Sequence, residues 1–305
     1  MIFPYLKLVR FPNLLLIIAT QALIKYSLFN SFGIAITLSN FGFFLLCLST
    51  VCIAAAGNII NDVYDVETDR INKPKKQLIG KRISEKAALN LYLILTVIAV
   101  AIGFYLSNII GHPGFSAIFI IISALLYLYA TYIKQIAVVG NLLISILVGM
   151  VIIIMGIFDL LPAITPLNQH TQAVIFSILL DYAFFAFLIN LIREMVKDQQ
   201  DINGDYNTGR KSLPILLGKS RTNILIFLVT LVPFAGVLFY IYDYLYKNNF
   251  AVGYALIFIV APLLYFMISI WNAESKKQYE KLSLLLKFIM LLGLLSIGLY
   301  PFILK

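Results

Sequence analysis

Two clusters of carboxylates carry most of the chemistry this sequence could perform. The chain has only 14 Asp and Glu, yet Asp62, Asp65, Glu67 and Asp69 stand together, and so do Glu194, Asp198, Asp201 and Asp205. Both clusters contain the spacing D-x-x-D-x-x-x-D, as Asp62, Asp65, Asp69 and as Asp198, Asp201, Asp205. Solvated loop acids have no reason to repeat one spacing twice. On a helix, residues three, four and seven apart share a face. Asn61, Asp65 and Asp69 are therefore expected to form one acidic stripe, and Asp198, Asp201 and Asp205 another. Opposed stripes crowd like charges, which cannot all stay ionised unaided. A hard divalent cation relieves the conflict, and Mg²⁺ typically pairs one or two carboxylates with water and substrate phosphate.

Bases are interleaved with these acids. Arg70, Lys73, Arg193, Lys197, Arg210 and Lys211 lie in or beside the clusters, with Lys134 on the same membrane face. A metal with Lys and Arg holds phosphate groups and neutralises charge developing on them. The chain has no G-x-x-x-x-G-K-[ST] segment, so a P-loop is excluded. A diphosphate whose remainder is hydrocarbon fits a site at the mouth of an apolar cavity.

The elements that must position these groups are membrane spans. Of 305 residues, 61% are apolar and 12% charged, about half the roughly 25% charge of a soluble domain. Apolar runs of the length needed to cross ~30 Å of hydrocarbon place nine spans. They are expected at Phe11 to Phe29, Phe41 to Ile60, Leu89 to Leu106, Phe115 to Tyr132, Val138 to Phe158, Ala173 to Ile192, Ile224 to Tyr242, Val252 to Trp271 and Leu282 to Leu304. The fold class is all-α, one multi-pass domain over residues 1–305. The first segment lacks the short apolar core and cleavage site of a removable signal peptide.

All Lys and Arg except Lys25, Lys247, Lys287 and Lys305 fall before the first span or in the even-numbered connections. The positive-inside rule makes that face cytoplasmic, with the N-terminus inside and the C-terminus outside a cell (inner) membrane. The +9 net charge is thus a topological signal rather than a nucleic-acid footprint. Nothing in the sequence points to an obligate protein partner.

The echo continues past the acids. Leu78-Ile79-Gly80-Lys81 is answered by Leu216-Leu217-Gly218-Lys219, and Ser84 by Thr222. Four spans separate the copies, so both open on one face. This reads as a parallel internal repeat, two four-helix halves plus one helix, around a central cavity.

Other chemistry-bearing residues read more plainly. Cys47 and Cys52 are expected to be buried packing residues. Lys25 and Lys287, near the ends of apolar spans, are expected to snorkel. Asp181, inside the sixth span, could be functional or a hydrogen-bonded buried acid. His112 and His170 fall in external loops without metal-ligand partners and read as bystanders.

Asn61-Asp62-x-x-Asp65-x-x-x-Asp69 followed by Arg70-x-Asn72-x-Pro74 resembles the first aspartate motif of the UbiA superfamily of intramembrane prenyltransferases. Asp198-x-x-Asp201-x-x-x-Asp205 resembles its second. Within the superfamily, Gly57-Asn58-x-x-Asn61-Asp62, Tyr129 to Lys134 with Gly140-Asn141, and Arg193-Glu194-x-x-Lys197-Asp198 with Ser212-Leu213-Pro214 look most like the digeranylgeranylglyceryl phosphate synthase branch. Gln199, Gln200 and Asn203 stand where that branch usually carries further acids.

The resemblance implies Mg²⁺-dependent transfer of a prenyl group, best read as geranylgeranyl, from its diphosphate to a lipophilic acceptor, a prenylated glycerol phosphate. It implies metal binding first by Asn61, Asp65, Asp201 and Asp205, then by Asp62, Asp69 and Asp198. It implies catalytic roles for Asp65, Asp69, Asp201 and Asp205. Phosphate binding is implied for Arg70, Lys73, Lys134, Arg193, Lys197 and Lys211, with Arg10 and Asn13 on the acceptor side. Two alternatives stay open: an aromatic acceptor of quinone biosynthesis, and, in a different class, a cation-coupled transporter. Transporters usually bind near the bilayer midplane at broken helices, whereas these acids sit at span ends beside bases.

Overall fold

A computed structural model describes residues 2–74 and 77–303, the side chains of residues 2 and 303 excepted. Lys75 and Lys76, counted above in the basic bias, Lys305, placed above on the opposite face, and the expected end of the ninth span at Leu304 lie outside the described residues. Among the described residues nine helices are long and apolar enough to cross a bilayer: Phe11–Phe32, Asn40–Tyr64, Glu85–Ile109, Pro113–Thr131, Val139–Ala163, Gln169–Asn207, Lys219–Leu245, Asn249–Trp271 and Lys276–Phe302. Among the described residues the only β-type pairing is one isolated bridge, Ile79 with Ile83. Large apolar side chains such as Val97, Phe239, Ile268 and Leu284 point outward, the arrangement lipid requires and water penalises. The protein is an all-α, multi-pass membrane protein.

Helix starts follow local chemistry. Ser39 and Ser84 accept hydrogen bonds from the amides of Gly42 and Ala87 at the second and third spans. Ser275 and Gln278 form a reciprocal capping box at the ninth. Thr222, the counterpart of Ser84 in the repeat, makes no such cap; its hydroxyl donates back to the Gly218 carbonyl within the seventh span. The glycines of the repeat do correspond. Gly80 and Gly218 both take left-handed backbone, φ 78° and 80°, which costs glycine little and other residues more.

The sixth span departs most from expectation. Hydropathy ends at Ile192, but the helix runs unbroken to Asn207, 39 residues in all. At 1.5 Å per residue that is about 58 Å, well beyond the hydrocarbon. The second motif therefore rides on a rigid extension of a span. The first motif does not. The second span ends at Tyr64, Asp65 adopts φ −98° and ψ 4°, and a short helix, Val66–Asn72, follows. The expected stripe of Asn61, Asp65 and Asp69 is bent at its middle member, although the Asp69 amide still reaches the Asp65 carbonyl at 2.8 Å.

The second span packs on the first, third and fourth, and the sixth on the fifth, seventh and ninth. Small residues permit the closest approaches. A Cβ on Gly103 would come within 2.3 Å of the Phe119 ring, and one on Gly149 within 3.1 Å of the Ala183 carbonyl oxygen.

Lys25 does not snorkel. It is 2% exposed, and its ammonium donates to the Leu38 carbonyl at 2.8 Å and to Asp159 Oδ2 at 3.3 Å. Asp159 also accepts from the Leu38 amide at 2.8 Å. The loop after the first span folds back over the helix end, so the lysine is buried before it can reach an interface. Removing either partner would strand a buried charge. Cys47 and Cys52 are buried free thiols, as expected.

Candidate active site

A cavity of about 970 Å³ opens where the two motifs meet. Its mouth is charged, and its depth is lined by Thr20, Thr50, Ile53, Phe119, Leu126, Ile152, Ile154 and Leu294. Asn61, Asp62, Asp65, Asp69, Asp198, Asp201 and Asp205 all line it, as do Arg10, Asn13, Lys73, Lys134, Arg193, Lys197 and Lys211. Arg70 does not. It is exposed and outside the cavity lining, because the bend at Asp65 turns it to the outer side of the short helix.

The carboxylates are individually partnered. Asp65 accepts from Asn61 Nδ2 at 2.7 Å, from Lys134 Nζ at 2.9 Å and from Arg210. Arg210 also approaches Asp205 at 3.8 Å. Lys73 donates to Asp201 Oδ2 at 2.7 Å, Arg10 to Asp62 Oδ1 at 2.8 Å and Asn141 to Asp198 Oδ2 at 2.8 Å. The crowding expected of opposed stripes is thus relieved in large part by bases rather than by a cation alone. Among the described residues no three acidic, His or Cys side chains form a ready cage.

Among the described residues Asn61 Oδ1 and Asp201 Oδ1 are buried and without a partner at this mouth, as are Gln77 Oε1 and Ser212 Oγ on the cavity lining. A buried acceptor left unsatisfied is costly, and the two motif oxygens facing one cavity suit a hard cation that keeps water and phosphate ligands. The donor set therefore fits Mg²⁺.

Burial, opposed by Lys73 and reinforced by the like charges of Asp65, Asp62 and Asp201, pushes the Asp69 carboxyl up to about 6. Burial would raise Asp65 too, but Lys134 and Arg210 hold it below the ordinary range. A metal drawn to Asp69 must displace its proton. Apparent Mg²⁺ affinity is then expected to weaken as pH falls through about 6, by up to about tenfold per pH unit for one proton. Mg²⁺ activation curves between about pH 5 and 8 check this; a half-saturating concentration independent of pH would contradict it.

Asn72 clamps the motifs together. Its side chain donates to the Asp201 carbonyl at 2.9 Å and accepts from the Gly204 amide at 2.9 Å. Gln199 and Gln200 face away from the cavity, donating to the Lys219 carbonyl and the Tyr279 carbonyl at 2.9 and 3.0 Å. Amides rather than acids suit those positions, since a carboxylate cannot donate. Among the described residues two non-glycine residues have left-handed backbone, Arg10 at φ 56° and Val138 at φ 69°, and both line the cavity. Such strain persists where surrounding structure enforces it, often at functional sites.

Arg210, Asn141 and Asn72 contact the motif residues in the structure but are not among the site residues expected from the sequence. For Asn72 a signal existed in Arg70-x-Asn72-x-Pro74. Arg210 had none to separate it from Lys211. Lys287 also deviates from expectation: its ammonium turns into the cavity and donates to Asn13 Oδ1 at 2.6 Å. Asp181 is exposed on the outer face and does not line the cavity. His112 stacks on Phe115 with centroids 4.9 Å apart.

Residues 26–292 match the model of the UbiA prenyltransferase family. The chain belongs to that family and is a prenyltransferase. It is 34% identical over 262 residues to a digeranylgeranylglyceryl phosphate synthase of Korarchaeum cryptofilum, covering 85% of each chain. Among solved structures, a digeranylgeranylglyceryl phosphate synthase aligns over 98% of both chains with TM-score 0.67 and 24% identity. A UbiA homolog from Archaeoglobus fulgidus bound to GPP and Mg²⁺ aligns over 97% of this chain and 99% of that one, with TM-score 0.55 and 16% identity.

Proposed function

We propose that this enzyme transfers a prenyl group, geranylgeranyl being the best reading, from its diphosphate to the hydroxyl of a prenylated glycerol phosphate. The observation that carries this is a division of cations within one cavity. Lys73, Lys134 and Arg210 sit on the motif carboxylates Asp201 and Asp65. A second set, Arg193 and Lys197, gathers on Glu194, with Arg10 close by although it pairs with Asp62. One set suits a diphosphate, and the other suits an acceptor that carries its own phosphate. The names of the similar synthases point the same way.

Asn61, Asp65, Asp201 and Asp205, with Asp62, Asp69 and Asp198, are the residues that would hold Mg²⁺. Bound there, the metal would supply positive charge against the departing diphosphate. Lys73, Lys134 and Arg210, released from their carboxylates, can donate to the same oxygens. The allylic C–O bond breaks with its electron pair on diphosphate, the acceptor oxygen bonds the allylic carbon, and the hydroxyl proton passes to an oxygen of the released diphosphate. The apolar depth of the cavity holds the tail and excludes water that would otherwise capture the cation. Basic bias supports a cytoplasmic position for this mouth: reporters fused after Asn72 or Asn207 should read inside, and one at Asn168 outside.

The decisive test is product analysis by mass spectrometry, with geranylgeranyl diphosphate, Mg²⁺ and a panel of acceptors. Arg193→Ala is expected to raise the acceptor KM by roughly 10- to 100-fold while leaving that for prenyl diphosphate nearly unchanged. Prenylation of an aromatic acid with the glycerol phosphate ignored would reject the acceptor assignment.

A further inference from the structure

We propose that Lys287, on the ninth span, binds the phosphate of the acceptor and completes with Arg193 a cationic subsite distinct from the diphosphate end of the cavity. The inference rests on the glycerol phosphate reading above.

Lys287, Met290 and Leu294 recur at the spacing of one helical face, and all three line the cavity. The lysine is therefore aimed inward, not at lipid. It lies 11 residues past the helix start at Lys276, about 16 Å along the axis. A charge inside an apolar span is expensive unless it has a partner or a task. Among the described residues no carboxylate pairs with Lys287; its ammonium is held by a neutral amide, Asn13 Oδ1, at 2.6 Å. An ammonium has three donors, so two remain to meet an anion.

Arg193 is the charged neighbour that bears on Lys287, and it is also under-served. Its Nε is buried without a partner. Its Nη1 stands 3.5 Å from Glu194, a carboxylate already held by Lys197 at 2.6 Å. Arg193 and Lys197 thus share one carboxylate and Lys287 pairs with none among the described residues, while Arg10 is committed to Asp62. A phosphomonoester carries close to two negative charges near neutrality, which matches that surplus. Asn13 then acts as the placeholder that steadies Lys287 until the phosphate arrives.

The test compares two acceptors that differ only in the phosphate: a prenylated glycerol phosphate and the same prenylated glycerol without it. In Lys287→Met the KM for the phosphorylated acceptor is expected to rise ~10- to 100-fold, the range for losing one charge-assisted hydrogen bond. The KM values for prenyl diphosphate and for the unphosphorylated alcohol should stay close to wild type. Lys287→Arg keeps the charge and should restore most of the affinity, which also serves if the methionine variant is unstable. A lysine that merely straps the first span to the ninth would affect both acceptors alike, and that result overturns the proposal. Failure of the wild-type enzyme to use the glycerol phosphate at all would instead overturn the reading on which it rests.

Discussion

Asp201→Ala is expected to reduce prenyl transfer by about 10²- to 10³-fold at saturating substrates, the range seen when one preorganised charge-stabilising group is removed. Asp201 is the most exposed to this loss, because one of its oxygens anchors Lys73 at 2.7 Å and the other is buried and unclaimed. Alanine would take away a metal ligand and free the lysine that should meet the diphosphate. Chelation of divalent ions should silence the wild-type enzyme in the same assay, and added Mg²⁺ should restore it. Initial rates of radiolabelled prenyl transfer in detergent, with thermal unfolding measured in parallel, separate a lost ligand from a lost fold. Activity of Asp201→Ala within about threefold of wild type would remove this residue from the metal site.

The second large effect lies outside the charged groups. A Cβ at Gly204 would come within 2.2 Å of Asn72 Nδ2, and Asn72 cannot easily yield because two hydrogen bonds fix it to the second motif. Gly204→Ala is expected to expel that side chain and shift the motifs relative to each other. Misplacements of about 1 Å can cost roughly 10²-fold in rate, so activity should collapse while the nine spans stay folded. Asn72→Ala removes the obstacle but also the clamp, a loss of about 1–3 kcal/mol for the buried groups left unpaired. The double variant should be no worse than Gly204→Ala alone, since both changes act on one contact. Independent, additive losses in the cycle would show that Gly204 acts through something other than Asn72.

The same two sites show what was legible in the sequence. The D-x-x-D-x-x-x-D spacing predicted a shared face for Asp198, Asp201 and Asp205. The unbroken helix Gln169–Asn207 provides it, and all three line the cavity. The same spacing overreached at the first motif. Periodicity assumes a continuous helix, and nothing local announces that the helix breaks at Asp65 and turns Arg70 outward.

The sequence by itself determined the properties that depend on neighbours along the chain. Span number follows from apolar runs, the acidic faces from helical spacing, and the paired turns at Gly80 and Gly218 from backbone that favours glycine. Tertiary structure alone decided which charge meets which. Asp65 takes Arg210 from 145 residues away, Asn72 takes Gly204 from 132, and Lys25 takes Asp159 from 134. Hydropathy counts the charged members of these pairs as a penalty against burial. Only the packed bundle shows that a partner waits at the same depth, turning an apparent snorkelling lysine into a buried pair and a neglected arginine into the neighbour of Asp65.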